Sequence, residues 1–162
     1  MVNSFRTSLT RFAPLALAAL LTFTVAACAP PASSGSGSGI AGDTVVAMNQ
    51  DRAASGLGGL AVDGQLTANA QSWANHLAAT GALVHTDLGA LLHQPNMSAW
   101  WTIGENLLES SGALSGAGAE NLWMGSPEHR ANILNPAFNH VGVAATRDGS
   151  GRLWMVAEFG AR

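Results

Sequence analysis

The sequence contains a single cysteine, no lysine and no tyrosine, and only 10% of its 162 residues are charged. Because Cys28 is alone, an intramolecular disulfide framework is excluded. Seven arginines are outnumbered by ten acidic residues, so the chain lacks the basic surface that nucleic-acid binding requires, and we expect no nucleic-acid partner. Apolar residues make up 48% of the chain and include five tryptophans, which is enough for the core of one domain.

The first 27 residues have the composition of a signal peptide. Arg6 and Arg11 form a basic start, and a largely apolar run from residue 12 to residue 25 follows them. This run is shorter than the roughly 20 apolar residues that a membrane-spanning helix needs. We therefore predict a signal peptide over residues 1–27 and an exported protein.

The small residues before the cysteine indicate a lipid anchor. Val25-Ala26-Ala27-Cys28 resembles the bacterial lipobox, in which the cysteine is diacylated and becomes the new N-terminus. The resemblance implies lipidation of Cys28 and a domain that faces outward from the membrane that carries the anchor. The alternative is ordinary cleavage near Ala27, which would release a secreted protein.

Residues 28–39 are predicted to form a tether, and residues 40–162 the folded domain. From Ala29 to Gly39 the chain contains only alanine, proline, serine and glycine, which cannot pack a core. Removal of the leader also removes two arginines, so the mature chain has five arginines against ten acidic residues and a net charge of −5.

Residues 40–162 combine helical and strand patterns. Helices are predicted over residues 43–55, capped by Asp43, over residues 63–81, capped by Asp63, and over residues 114–124, while strands are predicted over residues 102–109, 141–147 and 153–159. The last two strands form a hairpin, and all three are apolar on both faces. Such strands require a sheet that is covered on both sides. We predict an α+β fold, a three-layer α/β/α sandwich with a small, mostly antiparallel central sheet.

The stretch Trp123–Leu134 predicts a short helix that holds a histidine. Ser126 is a favourable N-cap, Pro127 suits the first helical position, and Asn135-Pro136 ends the helix. His129 then lies in the first turn, where the helix dipole disfavours a second proton. A neutral ring keeps a lone pair for hydrogen bonding or for a metal. A purely structural histidine is the alternative.

Glu105 lies in the middle of a predicted strand, between Ile103 and Leu107 on the same face. A buried carboxylate is costly there unless it is hydrogen-bonded or paired. We therefore expect another segment to supply a partner for Glu105.

Several short motifs occur together in a specific order. They are Arg52-x-x-x-Gly-Leu, Leu66-x-x-x-Ala, His85, Gly-Glu-Asn-Leu107, Trp-Met-x-Ser-Pro-x-His-Arg-x-Asn-Ile-Leu134, Val-Gly-Val143 and Phe159-Gly. The set resembles the bacterial, SCP-like branch of the CAP superfamily, which holds the cysteine-rich secretory proteins, venom allergens and plant pathogenesis-related proteins. The resemblance covers about residues 44–160 and implies the same α/β/α sandwich.

The resemblance also implies a central cleft, which in many family members carries two histidines and two glutamates. The positions that match by motif are His85, Glu105 and His129. At the fourth position this chain has Ser126 where eukaryotic relatives have a glutamate. Glu120, one turn earlier, and Glu128, beside the second histidine, are the candidates to replace it.

Three roles are open for the three matching residues. Two neutral imidazoles and a carboxylate are suitable ligands for Zn or a similar divalent ion, bound weakly with water in the open position. The same set could activate water as a metal-assisted hydrolase. In a structural role, Glu105 would fix His85 and His129 by hydrogen bonds and hold a helix layer to the sheet.

No nucleophile with an adjacent base is visible, so we expect a binding module rather than an enzyme. As proposed for relatives, its ligand would be a lipid, a sterol or a component of the cell envelope. A metal-dependent hydrolase of the cell envelope is the alternative function.

Overall fold

A computed structural model of the chain describes residues 39–162. The predicted signal peptide over residues 1–27, Cys28 with its predicted lipid, and all of the predicted tether except Gly39 lie outside the described residues. None of the helices formed by residues 39–162 combines the length and apolar character needed to cross a bilayer.

The described residues form five α-helices, one 3-10 helix and four strands. In chain order these are α1 (Ile40–Ala54), β1 (Ala61–Val62), α2 (Gly64–Thr80), α3 (Leu88–Leu92), the 3-10 helix (Pro95–Met97), β2 (Thr102–Ser110), α4 (Gly116–Met124), α5 (Pro127–Ile133), β3 (His140–Arg147) and β4 (Leu153–Ala161).

The four strands make one mixed sheet in the order β1-β3-β4-β2. The β3–β4 hairpin and the β2–β4 pair are antiparallel, whereas the short β1 is parallel to β3. The predicted α+β sandwich is confirmed, with three of the four strands in antiparallel pairs. The sequence patterns did not predict β1, because two residues are too few to show an alternation.

Helices cover both faces of the sheet. On one face α2 packs through Ala70, Ala74 and Leu77 against a buried cluster that includes Leu107 and Trp154. On the opposite face the larger core cluster lies beneath α1, α4 and α5; its members include Val45, Met48, Trp123, Ile133, Val143, Met155 and Phe159.

Gly142 allows the closest approach between α2 and the sheet. A Cβ atom placed there would lie 2.1 Å from the backbone nitrogen of Thr67 and 2.2 Å from the carbonyl carbon of Leu66. Both are backbone atoms and neither can move without shifting the helix. The Val-Gly-Val motif of β3 therefore sets the distance between two layers.

The predicted ends of α2 are confirmed. Oδ1 of Asp63 accepts hydrogen bonds from the backbone nitrogens of Gln65 and Leu66, and Gly81 ends the helix with a φ of 68°. The predicted start of α1 is wrong. That helix begins at Ile40, with Gly39 at the N-cap position, and Asp43 lies inside its first turn.

Arg52 is 2% exposed and joins α1 to the chain that leads into β3. Its guanidinium donates to the carbonyl oxygens of Gly58 at 2.7 Å, Ile133 at 2.8 Å, Asn135 at 2.9 Å and Phe138 at 3.0 Å. Burial lowers the pKa of Arg52, but an arginine remains charged in proteins. The buried charge is thus stabilised by four carbonyl dipoles.

Candidate functional site

The Gly-Glu-Asn motif lies on β2, which is an edge strand of the sheet. Successive residues of a strand point to opposite faces. Asn106 therefore faces α5, whereas Glu105 faces the α2 side together with its cross-strand partner Glu158. Gly104 is required by close packing, because a Cβ atom there would lie 2.9 Å from the Phe138 ring and 3.1 Å from Oδ1 of Asn132.

Glu105 receives three hydrogen bonds from two consecutive residues. Nδ1 of His85 lies 2.7 Å from Oε1, the backbone nitrogen of Thr86 donates to Oε1 at 3.0 Å, and Oγ1 of Thr86 donates to Oε2 at 2.8 Å. The side chain of Glu105 is fully buried, whereas that of His85 is 62% exposed. The partner expected for Glu105 is therefore supplied by the segment between α2 and α3.

The hydrogen bond to Glu105 also determines which nitrogen of the neutral His85 ring carries the hydrogen. An ionised carboxylate only accepts, so Nδ1 must carry the hydrogen. In the neutral imidazole, Nε2 then holds the lone pair. Nε2 of His85 is thus an exposed hydrogen-bonding group, and the buried Glu105 carboxylate holds the ring in a fixed position.

His129 lies on α5, on the other side of the β2 edge. Nδ2 of Asn106 donates to its carbonyl oxygen at 3.0 Å, and Nδ2 of Asn132 donates to the carbonyl oxygen of Glu105 at 3.1 Å and to Oδ1 of Asn106 at 2.8 Å. These bonds attach α5 to the strand that carries Glu105. Glu105 and Asn106 therefore connect β2 to the two histidine-bearing segments, one from each face.

The pKa of His129 is lowered, first by burial and second by the charge of His85, while Glu128 acts in the opposite sense. Burial is the leading cause, whereas the sequence pattern predicted that the helix dipole would disfavour the second proton. Ser126 occupies the N-cap position of α5, although its side chain makes no capping hydrogen bond.

The two candidates for a fourth residue lie in different places. Glu128 is exposed on the first turn of α5. Glu120 is 1% exposed on α4, and neither of its carboxyl oxygens meets a hydrogen-bond donor from residues 39–162. Burial, followed by the charge of Asp51 on α1, raises the pKa of Glu120 to about 8. Glu120 therefore faces α1 rather than the His85 side of the sheet.

The carboxyl group that does approach Glu105 belongs to Glu158 on β4, which no sequence motif indicated. Glu158 is fully buried, and no donor from the described part of the chain reaches its oxygens. Burial, followed by the charge of Glu105, raises the pKa of Glu158 well above its usual range. A signal was present in the sequence, because β4 alternation places Glu158 on the face of Trp154 and Val156.

The described residues do not fit a metal centre. Within residues 39–162 no three or more His, Cys, Asp or Glu side chains are grouped so that they could hold an ion. Both oxygens of Glu105 are already occupied by hydrogen bonds from His85 and Thr86. The predicted zinc set of His85, Glu105 and His129, completed by Glu120 or Glu128, is therefore not assembled.

Solved structures with the same fold include three bacterial proteins. An outer surface protein of Borrelia burgdorferi superposes with a TM-score of 0.64 at 21% identity, covering 73% of this chain and 89% of that one. An extracellular SCP-domain protein of Bacillus anthracis superposes with a TM-score of 0.65 at 22% identity, covering 76% of this chain and 40% of that one. A cysteine-rich secretory protein of Staphylococcus aureus superposes with a TM-score of 0.62 at 19% identity, covering 79% of this chain and 41% of that one.

At these identities the likeness shows the fold alone, and the chain spans about two fifths of the length of the last two proteins. A search of the curated proteins finds no match. The model of the cysteine-rich secretory protein family, or CAP, matches residues 45–159, a range that includes His85, Glu105, His129 and Glu158. On that match, together with the shared sandwich, the chain belongs to the cysteine-rich secretory protein family.

Proposed function

We propose that the protein is an exported, lipid-anchored CAP-domain module that binds an amphipathic ligand at the edge of β2. The supporting observation is the exposed His85 ring, which buried Glu105 holds in one orientation. A fixed imidazole can exchange a hydrogen bond with a hydroxyl or phosphate head group. Because most of the His85 side chain is exposed, we place the ligand site on the protein surface rather than in an enclosed cavity.

An apolar surface adjoins this polar group. Leu83 and Val84 directly precede His85, and each is 47% exposed. Nε1 of Trp73 on α2 donates to the carbonyl oxygen of Val84 at 3.0 Å, which holds the segment against the helix. A polar group beside exposed aliphatic side chains matches a molecule with a polar head and an apolar body. Lipids and sterols of the cell envelope have this chemistry.

Export and anchoring rest on the sequence of residues 1–28. The basic start, the short apolar run and the small residues before Cys28 support a lipoprotein signal. The outer surface and extracellular descriptions of two structural relatives agree with an extracytoplasmic location. The alternative of a metal-dependent hydrolase has less support, because residues 39–162 assemble no three-residue metal set.

The test is mass spectrometry of the full chain purified from an exporting host, under native and denaturing conditions. We expect a copurified lipid or sterol. Its affinity should fall about fivefold in His85→Ala, the effect of one hydrogen bond. His93→Ala is the matched control, because among residues 39–162 the ring of His93, at the C-cap of α3, bonds the Gly89 carbonyl oxygen and no side chain. Equal binding by wild type and His85→Ala, or a hydrolytic product formed with stoichiometric metal, would contradict the proposal.

A further inference from the structure

Two buried glutamates face each other across adjacent strands. Glu105 of β2 is the direct cross-strand partner of Glu158 of β4, so both side chains lie on the α2 face. They are 4% and 0% exposed, respectively. Two like charges directly opposite each other destabilise an antiparallel pair, and more so without water. The pair must therefore carry less than two negative charges.

The hydrogen bonds around the pair are unequal. Glu105 accepts from the His85 ring and from both the backbone and the hydroxyl of Thr86. The oxygens of Glu158 accept from no donor among residues 39–162, and the side chain lies directly opposite Glu105 across the β2–β4 pair. Two carboxyl groups can share a hydrogen bond only if one of them is protonated and donates.

Neither the register partner of Glu158 on β3 nor helix α2 supplies a counter-charge to a second carboxylate. On the side of β3, the register partner of Glu158 is Gly142, against which the α2 backbone packs. Helix α2 contains no Asp, Glu, Lys or Arg, and its single titratable side chain, His76, is exposed and stacked on Trp73. On the other side of Glu105, the His85 ring is hydrogen-bonded to that glutamate rather than to Glu158.

We infer that Glu158 is the fourth residue of the site: a positioning residue whose protonated carboxyl donates a hydrogen bond to Glu105. The single negative charge then stays on Glu105, where the His85 ring and Thr86 donate to it. Burial and the nearby Glu105 carboxylate, which raise the pKa of Glu158, act in the same direction. The importance of this residue for ligand binding rests on the proposed function, but its protonation does not.

The test is carbon-13 NMR of glutamate side-chain carboxyls in the full exported chain at pH 7, without ligand. Because Glu120 also has a raised pKa, we expect two carboxyl resonances at the position of a protonated acid, one that disappears in Glu158→Gln and one that disappears in Glu120→Gln. Nitrogen resonances of the His85 ring should stay unchanged in that variant, since the glutamine amide can still donate to Glu105, and should shift in Glu158→Ala, which has no donor.

Glu120→Gln is the matched control, because Glu120 is the other buried carboxyl without a donor among residues 39–162 and lies beside α1. It should leave the His85 ring resonances and the Glu158 resonance unchanged. A Glu158 resonance at the position of an ionised carboxylate would overturn the inference, and so would His85 resonances that are the same in Glu158→Ala and the wild type. If the alanine variant does not fold, the wild type and the two glutamine variants still decide whether Glu158 is protonated, and that result does not depend on whether a ligand binds.

Discussion

Nδ1 of His85 lies 2.7 Å from Oε1 of Glu105, although the histidine side chain is 62% exposed and the glutamate side chain is fully buried. An exposed side chain is therefore hydrogen-bonded directly to a buried carboxylate of the sheet. A mobile surface histidine would lose side-chain entropy each time it bound a ligand. Because the Glu105 carboxylate already orders the His85 ring in the folded protein, most of that side-chain entropy is lost during folding and not on binding.

The Thr86 hydroxyl should contribute measurably to this ordering. Thr86→Val keeps the shape of the side chain and removes the 2.8 Å bond to Oε2 of Glu105, and an unmet bond to a buried charged group costs about 1.5–3 kcal/mol. We expect a loss of that size in the free energy of unfolding, measured by urea denaturation. Thr80→Val, which removes a bond to the His76 carbonyl at the exposed end of α2, should cost less than about 0.5 kcal/mol. Equal losses in both variants would contradict the assigned role.

The packing of α2 on β3 should tolerate no side chain at Gly142. In Gly142→Ala the new methyl group would lie 2.1 Å from the Thr67 backbone nitrogen, so helix and strand must separate. We expect a loss of at least about 3 kcal/mol in the free energy of unfolding, the upper end for overpacking. Gly149→Ala is the control, since a methyl group added there, in the β3–β4 turn, would meet no atom within 4 Å. A Gly142→Ala protein as stable as the control would show that the two layers are not in tight contact.

Glu120 should make the domain less stable as pH rises. Its pKa of about 8 in the folded protein exceeds the value of about 4.3 for an unfolded chain. The folded state therefore retains a proton that the unfolded state has lost. Below about pH 4.3 Glu120 is protonated in both states and does not lower the free energy of unfolding. Between about pH 4.3 and pH 8 that free energy falls by up to about 1.4 kcal/mol per pH unit, and above about pH 8 this group lowers it no further.

Glu120→Gln should reduce this decline, because the amide cannot ionise. Thermal unfolding of the variant and the wild type between pH 5 and 8.5 measures the difference in slope. Glu158 has a raised pKa as well, so the Glu120→Gln slope should be smaller but not zero. Glu128→Gln, at an exposed position, is the control and should follow the wild type. Parallel profiles for all three proteins would show that Glu120 titrates normally.

Cys28→Ser tests the lipid anchor. The cysteine would carry the acyl chains, and two or more chains give stable membrane attachment, whereas the acidic mature chain has little attraction for anionic lipid. We expect the wild type in the detergent phase after phase separation and the serine variant in the aqueous phase. Identical partition of the two proteins would rule out lipidation at this position.

Local sequence patterns predicted the elements that are formed by interactions between residues close together in the chain. The Asp63 cap, the left-handed Gly81 and the β3–β4 hairpin each depend on residues within a few positions. The need of Glu105 for a partner followed from one buried charge in an apolar strand. Its partner, His85, came from family motifs, since twenty residues separate the two and no spacing rule connects them.

Non-local contacts account for what the patterns missed. Strand β1 exists because Ala61 and Val62 pair with residues 140 and 141, far along the chain. Helix α1 starts before Asp43, and there the helix packs so tightly on α4 that a Cβ atom on Gly116 would lie 2.5 Å from Asp43. Glu158 escaped notice because its significance comes from the β2–β4 register, which no single strand reveals.

In the proposed lipid-anchored protein, the four carbonyl bonds of Arg52 would have a mechanical consequence. Residue 39 leads directly into α1, so any tension along a membrane tether would load that helix first. Arg52, near the other end of α1, fastens it to the carbonyls of Ile133, Asn135 and Phe138 before β3. Carbonyl groups do not titrate and the guanidinium stays charged. The joint between tether and domain should therefore resist pulling equally well in acidic and neutral surroundings.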